Sequence, residues 1–334
     1  MDQLGIGLIG TGFIADWHLA GFAGQTDARV VGIARDYHGD EAQRLGQHAA
    51  LRHQSEHWGV RAYTSVGELM DDPEVDAVVI GSINPLHLGH IEQAICAGKH
   101  MLVEKPVLTE LDELDRVARA CRERGVKLFP GHNFVYRGAV ERAKELIAEG
   151  HLGRVIHASF VVTHTISPEH ASGWRAKRAL SAGGALMDSG HHLVYQSLYL
   201  LGMPRALQAF TARRVLVGME GEDTAQVTLA YPDGTLGVIL QSWASGHGEG
   251  ISGIRVLGER SSLVLSDALY LAGERIDADT GYGVSFAHQA RAFIDYVRHD
   301  RPPRSDLGDA RNTLRIIQAA YESARSGTVV TWSE

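Results

Sequence analysis

One stretch of the chain combines a carboxylate and an imidazole at a spacing suited to acid–base chemistry. In a helix predicted from about Ala185 to Leu201, Asp188 and His192 are four residues apart and so are neighbours on one face, with Tyr195 three residues further on. A carboxylate beside an imidazole can orient the ring and raise its basicity, as a general base requires. Surface ion pairs have the same spacing, so this pattern alone leaves both interpretations open.

A second reactive group is a lysine directly after a predicted buried strand. Glu104-Lys105-Pro106 follows the apolar run Met101–Val103, and the proline favours an extended backbone at Lys105. Open parallel sheets bind ligands at the carboxyl ends of their strands. An amine at that edge can donate a hydrogen bond to a substrate oxygen and stabilise a developing alkoxide. An exposed cation at a strand end would fit the same residues.

A glycine-rich turn near the start of the chain predicts a dinucleotide site. Gly10-x-Gly12-x-x-Ala15 follows the first apolar run and opens a helical pattern. Gly10 would allow the tight turn, Gly12 the approach of a pyrophosphate to the helix N-terminus, and Ala15 close packing of helix on strand. We expect Phe13 and Ile14, inside the motif, to contribute to the cofactor site.

Residues after the second and fourth predicted strands bear on the choice of cofactor. Arg35 can pair with a 2′-phosphate, which favours NADP, whereas Asp36 can bind the ribose 2′-hydroxyl of NAD. We therefore expect NAD or NADP, with a slight lean towards NADP. The polar loop after the fourth strand adds Ser82, Asn84 and His87 to the expected cofactor residues.

The elements that must position these groups change in character along the chain. In the first part, strands are predicted at Leu4–Ile9, Arg29–Ala34, Val75–Ser82, Met101–Val103 and Val126–Phe129, with helices near Ile14–Gly24, Asp40–Ala50, Leu86–Ala97 and Leu111–Arg124. Continuous apolar runs alternating with helices are typical of a doubly wound parallel sheet. We expect this α/β domain over residues 1–129.

The second part is dominated by strands. They are predicted at Val155–Thr163, Ala206–Val215, Thr224–Tyr231, Thr235–Trp243, Ile251–Leu257 and Ser262–Leu265, with helices near Val140–Glu149, Ala185–Leu201, Ser285–Arg298 and Leu307–Ser326. Pro232-Asp233-Gly234 predicts a hairpin turn between two of the strands. This pattern favours an α+β domain over residues 130–334, built on a large, mainly antiparallel open sheet.

Composition narrows the function further. The 334 residues carry a formal net charge of −8 with both signs interspersed, which gives a nucleic-acid partner no broad electrostatic basis. No apolar run approaches the roughly 20 residues of a membrane span. Two cysteines without a disulfide framework, and no basic segment leading into a long apolar stretch, predict a cytoplasmic protein. His87 and His90 have a spacing found in metal sites, but no third ligand is apparent, so we predict no metal.

Taken together, these motifs resemble those of the Gfo/Idh/MocA oxidoreductases, a family that includes inositol dehydrogenases and glucose–fructose oxidoreductase. The match keeps order and spacing over nearly the whole chain. Besides the Gly10–Ala15 turn it rests on Ser82-x-Asn84-x-x-His87, Ala97-Gly98-Lys99-His100, Glu104-Lys105-Pro106, Glu149-Gly150-x-Leu152-Gly153, Trp174-Arg175, Gly183-Gly184-x-Leu186-x-Asp188-x-Gly190-x-His192 and Ser323-Ala324-x-x-Gly327.

The resemblance implies a Rossmann domain followed by a sheet domain whose open face often mediates oligomerisation, here as a homodimer or homotetramer. It implies a catalytic set of Lys105, Asp188 and His192, in which the aspartate and histidine contact substrate hydroxyls and the histidine acts as acid and base. Glu104 and Lys105 join the expected cofactor residues. The expected substrate pocket comprises Lys105, Tyr136, Trp174, Arg175, Asp188, His191 and His192.

Two departures from the family pattern lie near this expected pocket. Val135-Tyr136-Arg137-Gly138 occupies the place of an Arg-aromatic-x-Pro segment, and Tyr195 stands where an aspartate frequently follows the histidine by three residues. Both departures bear on which substrate is bound and leave cofactor binding untouched.

We therefore expect an NAD(P)-dependent oxidoreductase that transfers a hydride to or from a secondary hydroxyl-bearing carbon of a sugar, inositol or glycoside. His192 would remove the hydroxyl proton, Lys105 would stabilise the alkoxide, and Asp188 would orient the site. One alternative is an enzyme that oxidises a sugar transiently so that a glycosidic bond can be eliminated. Another is a non-catalytic dinucleotide-sensing regulator, against which the intact catalytic set argues.

Overall fold

The computed structural model describes residues 3–37, 39–246, 251–279 and 281–332. Its first elements are β1 (Leu4–Ile9), α1 (Phe13–Ala23), β2 (Ala28–Ala34), α2 (Glu41–Trp58), β3 (Arg61–Ala62), α3 (Val66–Asp71), β4 (Ala77–Ile80), α4 (Asn84–Cys96), β5 (His100–Glu104), α5 (Leu111–Arg124) and β6 (Leu128–Gly131). A 3-10 helix at Asn133–Tyr136 follows, then α6 (Gly138–Ala148), β7 (Val155–Thr163), a 3-10 helix at Gly173–Ala176, α7 (Arg178–Ser181), α8 (Gly190–Leu201), β8 (Ala206–Ala212), β9 (Thr224–Ala230) and β10 (Leu236–Ser242). The last elements are β11 (Gly253–Gly258), β12 (Ser262–Leu265), β13 (Leu269–Leu271), β14 (Glu274–Ile276), α9 (Tyr282–His299), α10 (Leu307–Ser326) and β15 (Val330–Thr331).

The chain packs as two units, Met1–Tyr136 with Gly281–Leu307 and Arg137–Thr280 with Gly308–Glu334. The segment that contains α9 therefore packs with the N-terminal unit, although it lies late in the sequence. The continuous domains expected at 1–129 and 130–334 stay a prediction.

The N-terminal unit contains a six-stranded parallel sheet in the order β3-β2-β1-β4-β5-β6. Every residue of β1 and β4 is buried, as expected where helices cover both faces of a sheet. This sheet confirms the predicted doubly wound fold. The carboxyl ends of β1, β2, β4 and β5 lie at one edge, where the glycine turn, Asp36, Ser82 and Lys105 follow them.

The C-terminal unit contains a nine-stranded sheet in the order β14-β13-β12-β11-β7-β10-β9-β8-β15. Among the described strands of this sheet, only β7 and β10 pair in parallel, which confirms the mainly antiparallel sheet. β9 and β10 form the predicted hairpin, with Gly234 at a φ of 91° in its turn. One face of the sheet packs against α8, whose buried side includes Leu193, Val194 and Ser197.

One sequence-based boundary was wrong in a way that affects the site. The helix expected from about Ala185 begins at Gly190, and residues 185–189 form turns instead. Asp188 therefore lies before the helix that carries His192, and the expected helical i, i+4 geometry does not describe this pair. Among the described residues, no helix has the length and apolarity to cross a membrane.

Candidate functional site

The glycine turn after β1 has two differently constrained glycines. Gly10 has a φ of 118°, and a Cβ there would lie 2.6 Å from the carbonyl oxygen of Gly81 at the end of β4. Its backbone N–H donates to the carbonyl of Ala34 at 2.9 Å, which joins the turn to the end of β2. A side chain at Gly10 is therefore excluded by both conformation and space.

Gly12 precedes α1 as its N-cap residue, with no side chain to cap the first turn. No atom lies within 4 Å of the position that a Cβ would take, so the approach to the helix N-terminus is open. Phe13, the first residue of α1, is 75% exposed, Ile14 is half-buried, and Ala15 is buried against the sheet. Unpaired N–H groups at a helix N-terminus bind phosphate readily. The turn therefore fits the pyrophosphate of a dinucleotide.

The end of β2 holds a polar network that the sequence analysis did not foresee. His90 Nε2 lies 2.7 Å from Asp36 Oδ2, and His90 Nδ1 lies 2.9 Å from Ser82 Oγ. The imidazole is buried, whereas the Asp36 carboxylate remains 44% exposed. The network therefore fixes one carboxylate oxygen and presents the group at the place where a ribose hydroxyl is bound in dinucleotide sites.

Arg35 is held beside this network. Its Nη1 donates to Thr11 Oγ1 at 2.6 Å, and its Nε donates to the carbonyl of Asp36 at 3.3 Å. The guanidinium thus lies between the glycine turn and the end of β2. Both residues expected to select between NAD and NADP are in reach of the same end of the site.

His87 and His90, whose spacing is found in metal sites, both have hydrogen-bonding partners within the fold. His87 Nδ1 lies 3.0 Å from the carbonyl oxygen of Pro106, and His87 Nε2 lies 3.0 Å from that of Ser82. Burial lowers the pKa of His87, which favours the neutral ring. His87 thereby connects the start of α4, where Asn84 is the first residue, with the loop after β5.

Glu104 supports the lysine that follows it. Glu104 Oε2 accepts the backbone N–H of Lys105 at 3.1 Å, and Oε1 lies 2.8 Å from Nε2 of His18 in α1. Both His18 and Glu104 are buried. The carboxylate therefore fixes the backbone from which Lys105 projects and ties it to the helix of the glycine turn.

Two further residues of this unit surround the end of β6. His132 Nδ1 lies 2.7 Å from Ser305 Oγ, and burial together with the Lys105 ammonium lowers the pKa of His132 to about 3. Tyr136 is 1% exposed, and its hydroxyl accepts the backbone N–H of Arg304 at 3.1 Å. The expected place of Tyr136 in the substrate pocket stays a prediction.

In the C-terminal unit, Asp188 is paired with Arg175. Arg175 Nε donates to Asp188 Oδ2 at 2.9 Å, and the guanidinium carbon lies 4.4 Å from the centre of the Trp174 ring. The 3-10 helix that carries Trp174 and Arg175 thus meets the turn before α8. Three of the expected pocket residues are therefore brought together here. Burial lowers the pKa of His164, and the nearby Asp188 charge opposes that lowering.

His192 has a phenol as its neighbour. Its Nδ1 lies 2.7 Å from the hydroxyl oxygen of Tyr195, one turn along α8. The Gln196 side chain donates to the His192 carbonyl at 2.8 Å. His191 is buried, with its ring in edge contact with Tyr195. Tyr195, which stands where an aspartate was expected from the family pattern, therefore contacts the histidine directly.

Sequence reasoning missed the supporting residues His18 and His132, and it did not foresee the contact of His90 with Asp36. His18 lies 86 residues from Glu104, so no local spacing signals their contact. Tyr195 was visible as a departure three residues after His192, and that spacing on a helix was sufficient to predict contact.

The family assignment follows from comparison with known proteins. Residues 4–132 match the sequence profile of an oxidoreductase family with an NAD-binding Rossmann fold, and residues 140–264 match the GFO/IDH/MocA C-terminal domain. A 1,5-anhydro-D-fructose reductase of Ensifer adhaerens is 31% identical over 252 residues, covering 74% of each chain. A myo-inositol 2-dehydrogenase of Thermotoga maritima is 28% identical over 336 residues, covering 95% of each.

A similar solved structure is the aldose-aldose oxidoreductase of Caulobacter crescentus complexed with glycerol. It has a TM-score of 0.86 and 25% identity, covering 99% of this chain and 100% of that one. The predicted resemblance, fold and nicotinamide cofactor class are confirmed by these matches. The chain belongs to the GFO/IDH/MocA family of NAD-binding oxidoreductases.

Proposed function

We propose that this oxidoreductase interconverts a secondary hydroxyl and a ketone on a sugar, inositol or glycoside. The observation that carries the proposal is that both groups near the start of α8 have a hydrogen-bonding partner. Asp188 accepts from Arg175, and His192 contacts the hydroxyl of Tyr195. Bound nicotinamide supplies the acceptor or donor of the hydride. Oxidation of the alcohol also releases one proton, which a protein group must accept.

His192 is the group proposed to take that proton. Its Nδ1 is hydrogen-bonded to the Tyr195 hydroxyl, so Nε2 is the atom assigned to the substrate. For Nε2 to accept a proton, the neutral ring must carry its own proton on Nδ1 and donate it to the Tyr195 oxygen. Tyr195 would then fix the tautomer, a role that a carboxylate has in many acid–base pairs.

Asp188 and Lys105 are assigned to the substrate oxygens. The Arg175 contact orients one oxygen of Asp188, and the carboxylate can accept a hydrogen bond from a neighbouring sugar hydroxyl. The Lys105 ammonium would stabilise negative charge on the oxygen that loses its proton, and the Glu104 contact to its backbone N–H supports it. Trp174 adds an aromatic face of the kind that packs against sugar rings, and His191 remains a proposed pocket residue.

Site-directed variants test these assignments. Lys105→Met and His192→Ala should each lower turnover on a panel of sugars, polyols and glycosides by about 10²–10⁴-fold. The affinity for the dinucleotide, measured by calorimetry, should change little. Near-normal turnover in both variants would refute the assignment, and sugar release from a glycoside without net reduced cofactor would favour transient oxidation.

We also propose a homodimer or homotetramer formed through the open face of the C-terminal sheet. Phe210, Leu236 and Leu257 lie on that face and are 65%, 53% and 46% exposed. Exposed apolar side chains on an open sheet face are a feature of interaction surfaces. Phe210→Lys should shift the molar mass measured by light scattering towards the monomer, and an unchanged mass would contradict this interface.

A cytoplasmic location is proposed on the two free thiols, Cys96 and Cys121. Cell fractionation with antibody detection tests it.

A further inference from the structure

Glycines allow the turn that carries Asp188 to pack closely against the loop before β9 and against α10. A Cβ on Gly184 would lie 2.0 Å from the carbonyl oxygen of Glu222, and one on Gly183 would lie 2.2 Å from the Tyr321 hydroxyl. A Cβ on Gly221 would lie 2.6 Å from the carbonyl oxygen of Gly183. The glycines therefore permit an approach that no other residue type allows without movement of the backbone.

Two side chains use this approach to bind the backbone of the turn. Glu222 Oε1 accepts the N–H of Leu186 at 2.8 Å and the hydroxyl of Tyr321 at 2.9 Å. The Tyr321 oxygen in turn accepts the N–H groups of Gly184 at 3.3 Å and Met187 at 3.2 Å. The amides of Gly184, Leu186 and Met187 are thus satisfied by one carboxylate–phenol pair.

The remaining amides of the turn continue the same arrangement. The N–H of Ala185 donates to the Glu222 carbonyl at 2.9 Å, and that of Asp188 donates to the carbonyl of Gly184 at 3.1 Å. The N–H of Gly190, the first residue of α8, donates to the carbonyl of Ala185 at 2.8 Å. These hydrogen bonds connect Glu222 through the backbone of the turn to Asp188 and to the start of the helix that carries His192.

A buried carboxylate is a costly way to satisfy backbone amides, which points to a need for fixed geometry. Glu222 is 9% exposed, and it and Tyr321 border a cavity of about 540 Å³ that is lined also by Arg178, Glu322 and Ala324. Water in that cavity would compete for the same amides if the carboxylate were removed.

We propose that Glu222 and Tyr321 are positioning residues, which fix the Asp188 turn and the start of α8 for the chemistry of Asp188 and His192. The effect on catalysis rests on the proposed function, whereas the hydrogen bonds of Glu222 and Tyr321 to the turn do not depend on it. Neither residue is proposed to touch substrate or cofactor.

Hydrogen–deuterium exchange of the full-length protein tests the contact independently of any substrate. Glu222→Leu should speed exchange of the Leu186 amide, and Tyr321→Phe that of the Gly184 and Met187 amides, by at least about tenfold, because each amide loses its hydrogen-bond acceptor. Glu222→Gln keeps an acceptor oxygen and should exchange nearly as the wild type does. Glu322→Leu, a change at the next residue of α10 on the same cavity, is the matched control and should show no effect.

Turnover measured on the same variants tests the positioning role. Glu222→Leu and Tyr321→Phe should lower kcat by about tenfold or more, with an unchanged Kd for the dinucleotide and recovery in Glu222→Gln. Unaltered exchange in both variants would overturn the contact. Faster exchange with an unaltered kcat would overturn the positioning role. A kcat as low in Glu222→Gln as in Glu222→Leu would overturn it too. Absence of turnover by the wild-type protein on every sugar tested would instead refute the proposed function, and the exchange result would still decide the contact.

Discussion

A buried neutral histidine beside the lysine gives the N-terminal unit a pH-dependent stability. His132 is fully buried, its Nδ1 contacts the Ser305 hydroxyl, and burial and the Lys105 ammonium lower its pKa to about 3. In the unfolded chain the same imidazole has an ordinary pKa near 6.5. Between these two values the unfolded chain binds a proton that the folded protein does not.

The sign and size of the effect follow from this difference. Because the folded-state pKa is lowered, the contribution of His132 is fully present above pH 6.5 and is lost as the pH falls towards 3. Each pH unit below 6.5 should cost about 1.4 kcal/mol, so the loss at pH 4.5 is about 2.7 kcal/mol. That is a large share of the roughly 5–15 kcal/mol stability of a typical protein.

His132→Asn isolates this contribution, because asparagine can still contact Ser305 but does not titrate in this range. The free energy of opening is read from native-state exchange of β5 and β6 amides at pH 7.5 and pH 4.5 in both proteins. The difference at pH 7.5 reports packing and hydrogen bonding alone, since the imidazole is neutral in both states there. Relative to the variant, the wild type should lose about 2.7 kcal/mol between the two pH values.

A difference between the two proteins that does not change with pH would refute the assignment of a neutral, desolvated imidazole. A wild type that gains relative stability on acidification would show instead that His132 is charged in the folded protein.

Two further predictions concern the cofactor. Asp36→Ala should raise the preference for NADP over NAD by about tenfold, because it removes a carboxylate that accepts a ribose hydroxyl and repels a 2′-phosphate. Arg35→Ala should shift the preference towards NAD. The ratio of the Kd values for the two dinucleotides measures both effects. Gly12→Ala should leave thermal stability nearly unchanged yet weaken dinucleotide binding by at least about tenfold. Gly10→Ala should instead lower the melting temperature. Equal effects of the two variants on the melting temperature would contradict this distinction.

Much of the fold could be predicted because long buried elements have strong patterns. Val155–Thr163, Ser262–Leu265, Leu111–Arg124 and Leu307–Ser326 have the bounds read from the sequence. The missed elements are short: β3 and β15 have two residues each, β13 and β14 three each, α7 four and α3 six. Their existence depends on pairing or packing with neighbours distant in sequence, which periodicity over so few residues cannot reveal.

The error at α8 has a physical cause of the same kind. Ala185 to Ser189 have residue types compatible with a helix, but the amides of Ala185, Leu186 and Met187 donate to Glu222 and Tyr321. A tertiary acceptor offered at those amides outweighs the small helical propensity of a five-residue segment. The residues of the candidate site could be named from the sequence, whereas the partners that hold them, such as Arg175 for Asp188, required the structure.

The glycines of the two motifs illustrate what a sequence pattern can and cannot specify. Gly10 and Gly184 are required by the protein itself, because a side chain at either would meet a backbone carbonyl at 2.6 Å and 2.0 Å. Gly12 differs, since its φ of −78° is accessible to every residue and the space beside it is open. The fold itself does not require glycine at Gly12, and the open space leaves room for a group that approaches the helix N-terminus from outside. A dinucleotide pyrophosphate is such a group, so the open position at Gly12 fits cofactor binding, whereas the crowded position at Gly10 is explained by the fold alone.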